Sequence, residues 1–558
     1  MKSKKLIFLA SILITSGVAL TSCGSEREEK DDSGKSYIYC WINEGNKYEG
    51  AKKDSVLRKI EDTCGVNLQV TGTTHNDTYY TTLNPKVNTG EILDILFTVP
   101  TAQGDGYSEW IDQGLLCDYD TLMAEKPGEY PYLEAIFESD AYKNIQYGDD
   151  LHTLLPFITS KNSWTIYYRA DWLREIGYVA KDSNGNALYE LDYKGNQILD
   201  SITGEPLLKA RAPVNMDEFE DVMIKFKEKH PQTYPLSPGN SATWLNPLYH
   251  AFGCTTDYDI IDGKVTHHYL QPEYKNFLNW AQKMCSLGLI DPNFGINSNN
   301  GDRDKFYDSK SGILITNGES HVQWILSRFA TGQVIVGPAP VGTANIGKEG
   351  CGGFSDWGGW WGGFSLSSQC TDKHAAMRFL NYICGPEGNN LFHNGIEGVH
   401  YDLVNNEVVP NLDGRYEEPE GTFYTVDVEN GVKEPVGMHE LGSHFQGRLV
   451  WTSDREFTFI PDNTSIPLQY KDYFDQTVQL NTLVTSKLTN VTGWPSSYLV
   501  KMRKVEDACN AYTIETIVGR KNTTTDYEAL LAKIEQPTYE WSSIQRMIKE
   551  VARKHGIN

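Results

Sequence analysis

The sequence predicts an α/β protein with parallel strands, divided into at least two domains. Two observations carry this. From residue 36 to 99 the pattern runs strand, helix, strand, helix, strand, the alternation of an α/β unit. The chain has 558 residues, more than one apolar core ordinarily organises.

The elements follow in order. Ser36-Tyr37-Ile38-Tyr39-Cys40-Trp41-Ile42 is rich in β-formers and reads as a strand. Residues 50–64 form a helix stopped by Gly65, and Val66–Val70 returns to strand. A tyrosine-rich helix spans 76–87, and 92–99 is a buried strand. Trp110–Leu116 reads as a helix end and turn, and Ser163–Tyr168 as a strand entering the helix 170–176. Residues 181–201 break the rhythm with Asn-Gly and Lys-Gly-Asn turns, a small hairpin excursion. Helix 216–229 has Asp217 as an early cap and Phe219, Val222, Met223 and Phe226 as its apolar spine. A short helix at 244–252, a hairpin at 258–267 around Asp262-Gly263 and a helix at 272–287 follow. Strands at 312–316 and 334–337 flank a helix at 319–330. Residues 347–363 hold eight glycines with Trp357, Trp360 and Trp361, and read as irregular chain before the strand 364–366. A helix at 372–384, a low-periodicity excursion at 401–470 and two late helices, 498–517 and 526–551, complete the chain, with no internal repeat.

The N-terminus predicts export. Lys2, Lys4 and Lys5 precede an apolar run from Leu6 to Leu20, too short and too interrupted for a membrane span. Leu20-Thr21-Ser22-Cys23 resembles a bacterial lipobox, which implies a signal peptide over 1–22 and a lipid on the Cys23 thiol. An ordinary secretory signal with an unrelated cysteine is the alternative. Residues 24–36 contain no apolar side chain, so 23–35 is expected to be a lipidated, solvated tether at the outer face of the cytoplasmic membrane.

Removing residues 1–22 takes away three lysines and no acids, moving the net charge from -24 to -27. Such a surface argues against nucleic acid and against an anionic ligand, although a local pocket can defy the net field. Nine cysteines remain after Cys23, none in C-x-x-C spacing, so no zinc knuckle or redox pair is suggested and no disulfide follows. The sequence calls for no cofactor and no metal.

Three local runs and their order resemble the extracellular solute-binding proteins of bacterial ABC importers (family 1), in the large oligosaccharide-binding lipoprotein branch. They are Ala212-Pro213-Val214-Asn215-Met216-Asp217-Glu218-Phe219, Gly288-Leu289-Ile290-Asp291-Pro292 and Gly395-Ile396-Glu397-Gly398-Val399-His400-Tyr401. Ile517-Val518-Gly519-Arg520 also looks like that family's closing segment. The resemblance implies a two-lobed, type II periplasmic-binding-protein-like fold with a hinge and a ligand cleft between the lobes. Lobe 1 would take 36–158 and 297–345, and lobe 2 159–296 and 346–558. It also implies a carbohydrate ligand, permease partners and a monomer.

A sugar site needs exposed aromatic planes and groups that saturate hydroxyls. Ser355-Asp356-Trp357-Gly358-Gly359-Trp360-Trp361-Gly362-Gly363 is the best stretch, because glycines leave the rings room. Trp360 and Trp361 are candidates for stacking, with loop anchoring as the rival role; Trp357 and Asp356 accompany them. Trp244 follows Ser237-Pro238-Gly239-Asn240-Ser241, with packing beneath the short helix as its rival role. Trp41 and Glu44 end the first strand, and His75 and Asp105 follow the second and third. Trp164, Trp324 and Trp451 complete the set; the neighbours Ile325 and Leu326 favour a core position for Trp324. The expected ligand is a neutral oligosaccharide, with a peptide or cationic solute as the alternative.

Asp182, Asn184 and Asn186, with Glu190 beyond, resemble the front of a calcium loop, but Ala187 and Tyr193 stand where its glycine and glutamate belong, so a plain turn is preferred. A secreted glycan-active hydrolase is the remaining enzyme reading. No Gly-x-Ser-x-Gly elbow, His-Glu-x-x-His or P-loop supports it, and His267-His268 lacks a third metal-like partner close by in sequence.

Overall fold

A computed structural model describes residues 29–43, 45, 53, 55–73, 79–91, 93–99, 106–138, 151–158, 164–192, 195–200, 203–297, 301–317, 325–326, 328–356, 360–399, 401–404, 407–410, 449–451, 457–459, 482–489, 491 and 494–557. The strands are β1 (Ser36–Asn43), β2 (Val66–Thr73), β3 (Ile95–Thr98), β4 (Leu155–Ile158), β5 (Trp164–Arg169), β6 (Tyr234–Leu236), β7 (Tyr258–Ile261), β8 (Lys264–His267) and β9 (Ser311–Asn317). They continue as β10 (Val334–Gly337), β11 (Phe354–Ser355), β12 (Trp360–Leu366), β13 (Tyr401–Val404), β14 (Glu407–Pro410), β15 (Leu449–Trp451), β16 (Phe457–Phe459) and β17 (Leu483–Val484).

Two sheets organise the chain. The first has the order β2-β1-β3-β12-β4, with β1 parallel to β2 and β3, and β12 antiparallel to β3 and β4. Its apolar cluster joins Ile38, Ile42, Leu83, Phe97, Trp110 and Phe364. The second has the order β10-β5-β9-β6 and shares a separate cluster, including Ile166, Phe219, Phe226 and Ile313, with the late helices.

The expected helices form for the expected reasons. Helix Ser55–Cys64 buries Val56, Leu57, Ile60 and Cys64, one face at helical spacing, before Gly65 turns left-handed. Helix Met216–Lys229 buries the expected spine, but its cap is Asn215, whose Oδ1 accepts from Glu218 N at 2.9 Å. Asp217 lies inside the first turn, two residues past the cap position. The expected single helix 526–551 is two, Thr525–Ile534 and Trp541–Lys554. Pro537 falls between them, and Glu540 takes a left-handed φ of 51°. Most of the helix expected at 319–330 lies outside the described residues.

Three expectations are corrected. Residues 297–345 do not return to the first sheet: β9 and β10 both pair with β5, and Ile313 and Ile315 join its core. Instead β12 and the helix Lys373–Cys384 return there, with Phe364, Leu366, Phe379 and Leu380 in the first cluster. Residues 360–363 are not irregular chain but the start of β12. Glycine permits this: a Cβ on Gly363 would lie 2.3 Å from the Leu155 carbonyl oxygen, so only glycine lets β12 approach β4 so closely. Gly362, at φ +53°, sits at the register shift between Trp361 and Gly363. Finally, residues 29–35 of the expected tether fold back on β1. Asp31 accepts from the amides of Ser33 and Lys35, and Lys30 bridges Ser36. Residues 1–28 lie outside the described residues, among which no helix is long and apolar enough to cross a membrane.

Candidate functional site

Sheet directions place Trp41, Trp360, Trp361, Trp164 and Trp244 at or just beyond strand ends. β1, β2 and β3 run in parallel, and β12 enters antiparallel beside β3. Trp360 and Trp361 pair with Ile158 and Phe157 of β4, whereas β3 pairs with β12 only from Gly363 onward. These two residues therefore lie just past the carboxyl end of β3, where α/β sheets hold ligands. Trp41 is near the same end of β1. Glu44, His75 and Asp105 follow β1, β2 and β3 in sequence but lie outside the described residues, as does Trp357.

The second sheet repeats the arrangement. Trp164 opens β5 and pairs with Asn317 at the end of β9. β6 runs parallel to β9, and the chain leaving it carries Trp244. Trp324 follows β9, outside the described residues. Only residues 159–163 separate Ile158, at the end of β4, from Trp164, so these two strand ends lie within about 20 Å of each other. A second short link, 356–359, joins β11 to Trp360.

Burial sorts the candidates. Trp41 is 4% exposed, with Tyr79 and the Lys86 ammonium against its ring. Trp164 is 2% exposed and meets Trp244 edge-on at 5.1 Å. Both pack in cores. Trp244 is half-buried, and Gly239 lies so close to its ring that a Cβ there would come within 2.5 Å. One face of this indole is therefore covered by backbone. The backbones of Trp360, Trp361 and Trp451 are described but their side chains are not; β15, with Trp451, lies against the helix Pro386–Asn394.

Asp356 is half-buried and accepts from Thr485 Oγ1 at 3.1 Å, while its amide donates to the Val484 carbonyl. The strand before it is anchored by two residues that the sequence reading passed over. Asn246 Oδ1 accepts from the Ser355 amide, and His250 Nε2 lies 2.9 Å from Ser355 Oγ. His250 Nδ1 faces the Cys254 carbonyl at 2.9 Å, which makes Nδ1 the donor and leaves Nε2 to accept from the serine. Burial lowers the His250 pKa to about 4, so the ring is a neutral strut at neutral pH. No short-range pattern marks these residues, because the contacts span 105 and 109 positions.

At the calcium-like turn, the Asp182 carboxylate is taken by the turn itself. It accepts from the amides of Asn184 and Asn186 and from Asn186 Nδ2. Asp192 repeats the pattern with Asn196. All nine cysteines after Cys23 are free thiols.

A scan against protein-family models matches none. The polygalacturonan/rhamnogalacturonan-binding protein YtcQ of Bacillus subtilis is 26% identical over 220 residues, 35% of this chain and 41% of that protein. The chain thus matches under half the length of that relative. Solved structures are similar over nearly the whole chain. Alginate-binding protein AlgQ2 has a TM-score of 0.62 at 13% identity, covering 93% of this chain and 96% of that one. An HMO-binding, ABC-transporter-associated solute-binding protein from Bifidobacterium longum infantis scores 0.61 at 15%, covering 94% and 99%. The FusA substrate-binding protein of S. pneumoniae, in complex with kestose, scores 0.59 at 16%, covering 93% and 99%. The chain has the α/β fold of these solute-binding proteins.

Proposed function

We propose that this chain is a lipid-anchored, extracellular solute-binding protein that delivers an oligosaccharide to the permease of an ABC importer. The observation that carries the reading is the position of Trp360, Trp361 and the half-buried Trp244 at two sheet ends joined by short stretches of chain. Pockets favour such interfaces, and indole planes suit the C–H faces of sugars. The two sheets and their cores act as two lobes, and ligand draws them together. The protein acts as a monomer and performs no chemistry on its ligand.

The first reading of the ligand is neutral. Net charge is -27 after removal of residues 1–22, and no Lys or Arg lies between Cys351 and Gly363. A second reading, a uronate-containing oligosaccharide, is favoured by the match to a polygalacturonan/rhamnogalacturonan-binding protein. A thermal-shift screen against neutral oligosaccharides, uronate oligosaccharides and short peptides separates them, followed by salt titration of each hit. Ligand that binds the folded state raises the apparent Tm by mass action. A neutral hit insensitive to salt supports the first reading, and a uronate hit weakened by salt supports the second. Stabilisation by peptides alone overturns the carbohydrate reading.

Anchoring is tested separately. Mass spectrometry of the native N-terminus is expected to find lipid on Cys23, and Cys23→Ser is expected to release the protein from the membrane. A mature chain that begins elsewhere without lipid contradicts the anchor.

A further inference from the structure

The sequence leaves His267-His268 without a third partner, and the fold supplies one. Asp262 and Gly263, at φ 50° and 72°, make the two-residue turn that joins β7 to β8. That turn sets the register: Ile261 opposes Lys264, and Tyr258 opposes His267. One step further from the turn, Asp257 lies opposite His268, whose amide donates to the Asp257 carbonyl at 3.2 Å. Ligand atoms of Asp257, His267 and His268 lie within 4.8 Å of one another.

Two features set this cluster apart from a packed histidine pair. His268 is 1% exposed, yet neither of its ring nitrogens has a hydrogen-bond partner. Buried polar atoms are rarely left so, because each keeps the desolvation penalty of an unmade bond. His267 is 3% exposed, and its Nδ1 meets only the Tyr269 amide, at a long 3.4 Å. Asp257, by contrast, is an exposed residue. It holds a left-handed φ of 33°, a strained conformation for a non-glycine residue.

We propose that Asp257, His267 and His268 bind a divalent transition-metal ion of the zinc class. Two imidazole nitrogens and one carboxylate oxygen suit zinc, whereas calcium and magnesium require mostly oxygen ligands. Tetrahedral ligands at zinc bond lengths stand roughly 3.4 Å apart, so a cluster spanning 4.8 Å needs only side-chain closure. Tyr258 Oη donates to the Met502 carbonyl of the helix Ser496–Ile517, which ties the hairpin carrying these residues to the C-terminal helices.

The site lies outside the strand ends assigned to the oligosaccharide, and its test is independent of that reading. Full mature protein, dialysed against chelator, is titrated calorimetrically with Zn²⁺ alone. A single-site isotherm is expected, with a rise in apparent Tm. His268→Phe preserves the ring stacked 4.6 Å from Tyr249 and removes both orphan nitrogens. It is expected to fold and to weaken zinc binding at least tenfold. Asp257→Asn, at the exposed position, is expected to weaken it similarly and serves alone should the histidine variant not fold. Anomalous diffraction at the zinc edge is expected to place the ion between the three residues. Absence of binding to the parent protein, or an isotherm unchanged in the folded variants, overturns the proposal.

Discussion

Trp360→Ala and Trp361→Ala are each expected to weaken oligosaccharide binding about tenfold or more, with little dependence on salt. A tenfold loss corresponds to about 1.4 kcal/mol. Aromatic contacts contribute about 0.5–1.5 kcal/mol beyond area burial, and a sugar face that loses its platform also loses the buried area. Both residues pair with β4 beyond the end of β3, so their backbone is fixed by a strand while the neighbouring strand has ended. Substitution there leaves the sheet hydrogen bonds, which are made by backbone, in place. Calorimetric titration of each variant with the best glycan from the screen is the check. Two variants that both retain parental affinity contradict the assignment of these residues to the ligand.

Gly363→Ala is expected to destabilise the protein by about 3 kcal/mol, at the upper end of the usual range for a single substitution. An added Cβ would lie 2.3 Å from the Leu155 oxygen and 2.7 Å from the Pro156 Cα, both backbone atoms of β4. Backbone cannot swing aside as a side-chain tip can, so β12 must move away from β4. The entropic benefit of replacing glycine, about 0.4–1 kcal/mol, is too small to offset this. Denaturant unfolding measures the loss. The same variant is expected to bind glycan less tightly, because β12 carries Trp360 and Trp361. An unchanged unfolding midpoint contradicts the close β12–β4 contact.

Local periodicity made much of the fold legible. The spine of helix Met216–Lys229 and the buried face of Ser55–Cys64 are written at helical spacing, and Asp262-Gly263 announces the β7–β8 turn. Long-range pairing was not legible. Nothing near residue 313 says that β9 pairs with β5 rather than with the first sheet, and the choice is made by contacts about 150 residues apart. The glycines at 362 and 363 misled for a related reason. Glycine marks both irregular chain and close strand approach, and only the neighbour Leu155 distinguishes them. Among the candidate residues, those after strand ends followed from the α/β rule alone. The burial of Trp41 and Trp164 did not, since an indole at a strand end can turn toward the core or the cleft. The Asp257–His268 pairing was implicit in the hairpin register but emerges only when residues are counted outward from the turn.

Ligand-induced closure tests the account most directly. Small-angle scattering of the mature chain, with and without a saturating oligosaccharide whose binding has been established calorimetrically, reads the separation of the two sheets. A fall in the radius of gyration is expected, as the two sheets close around the glycan. An unchanged radius with the glycan bound would contradict it.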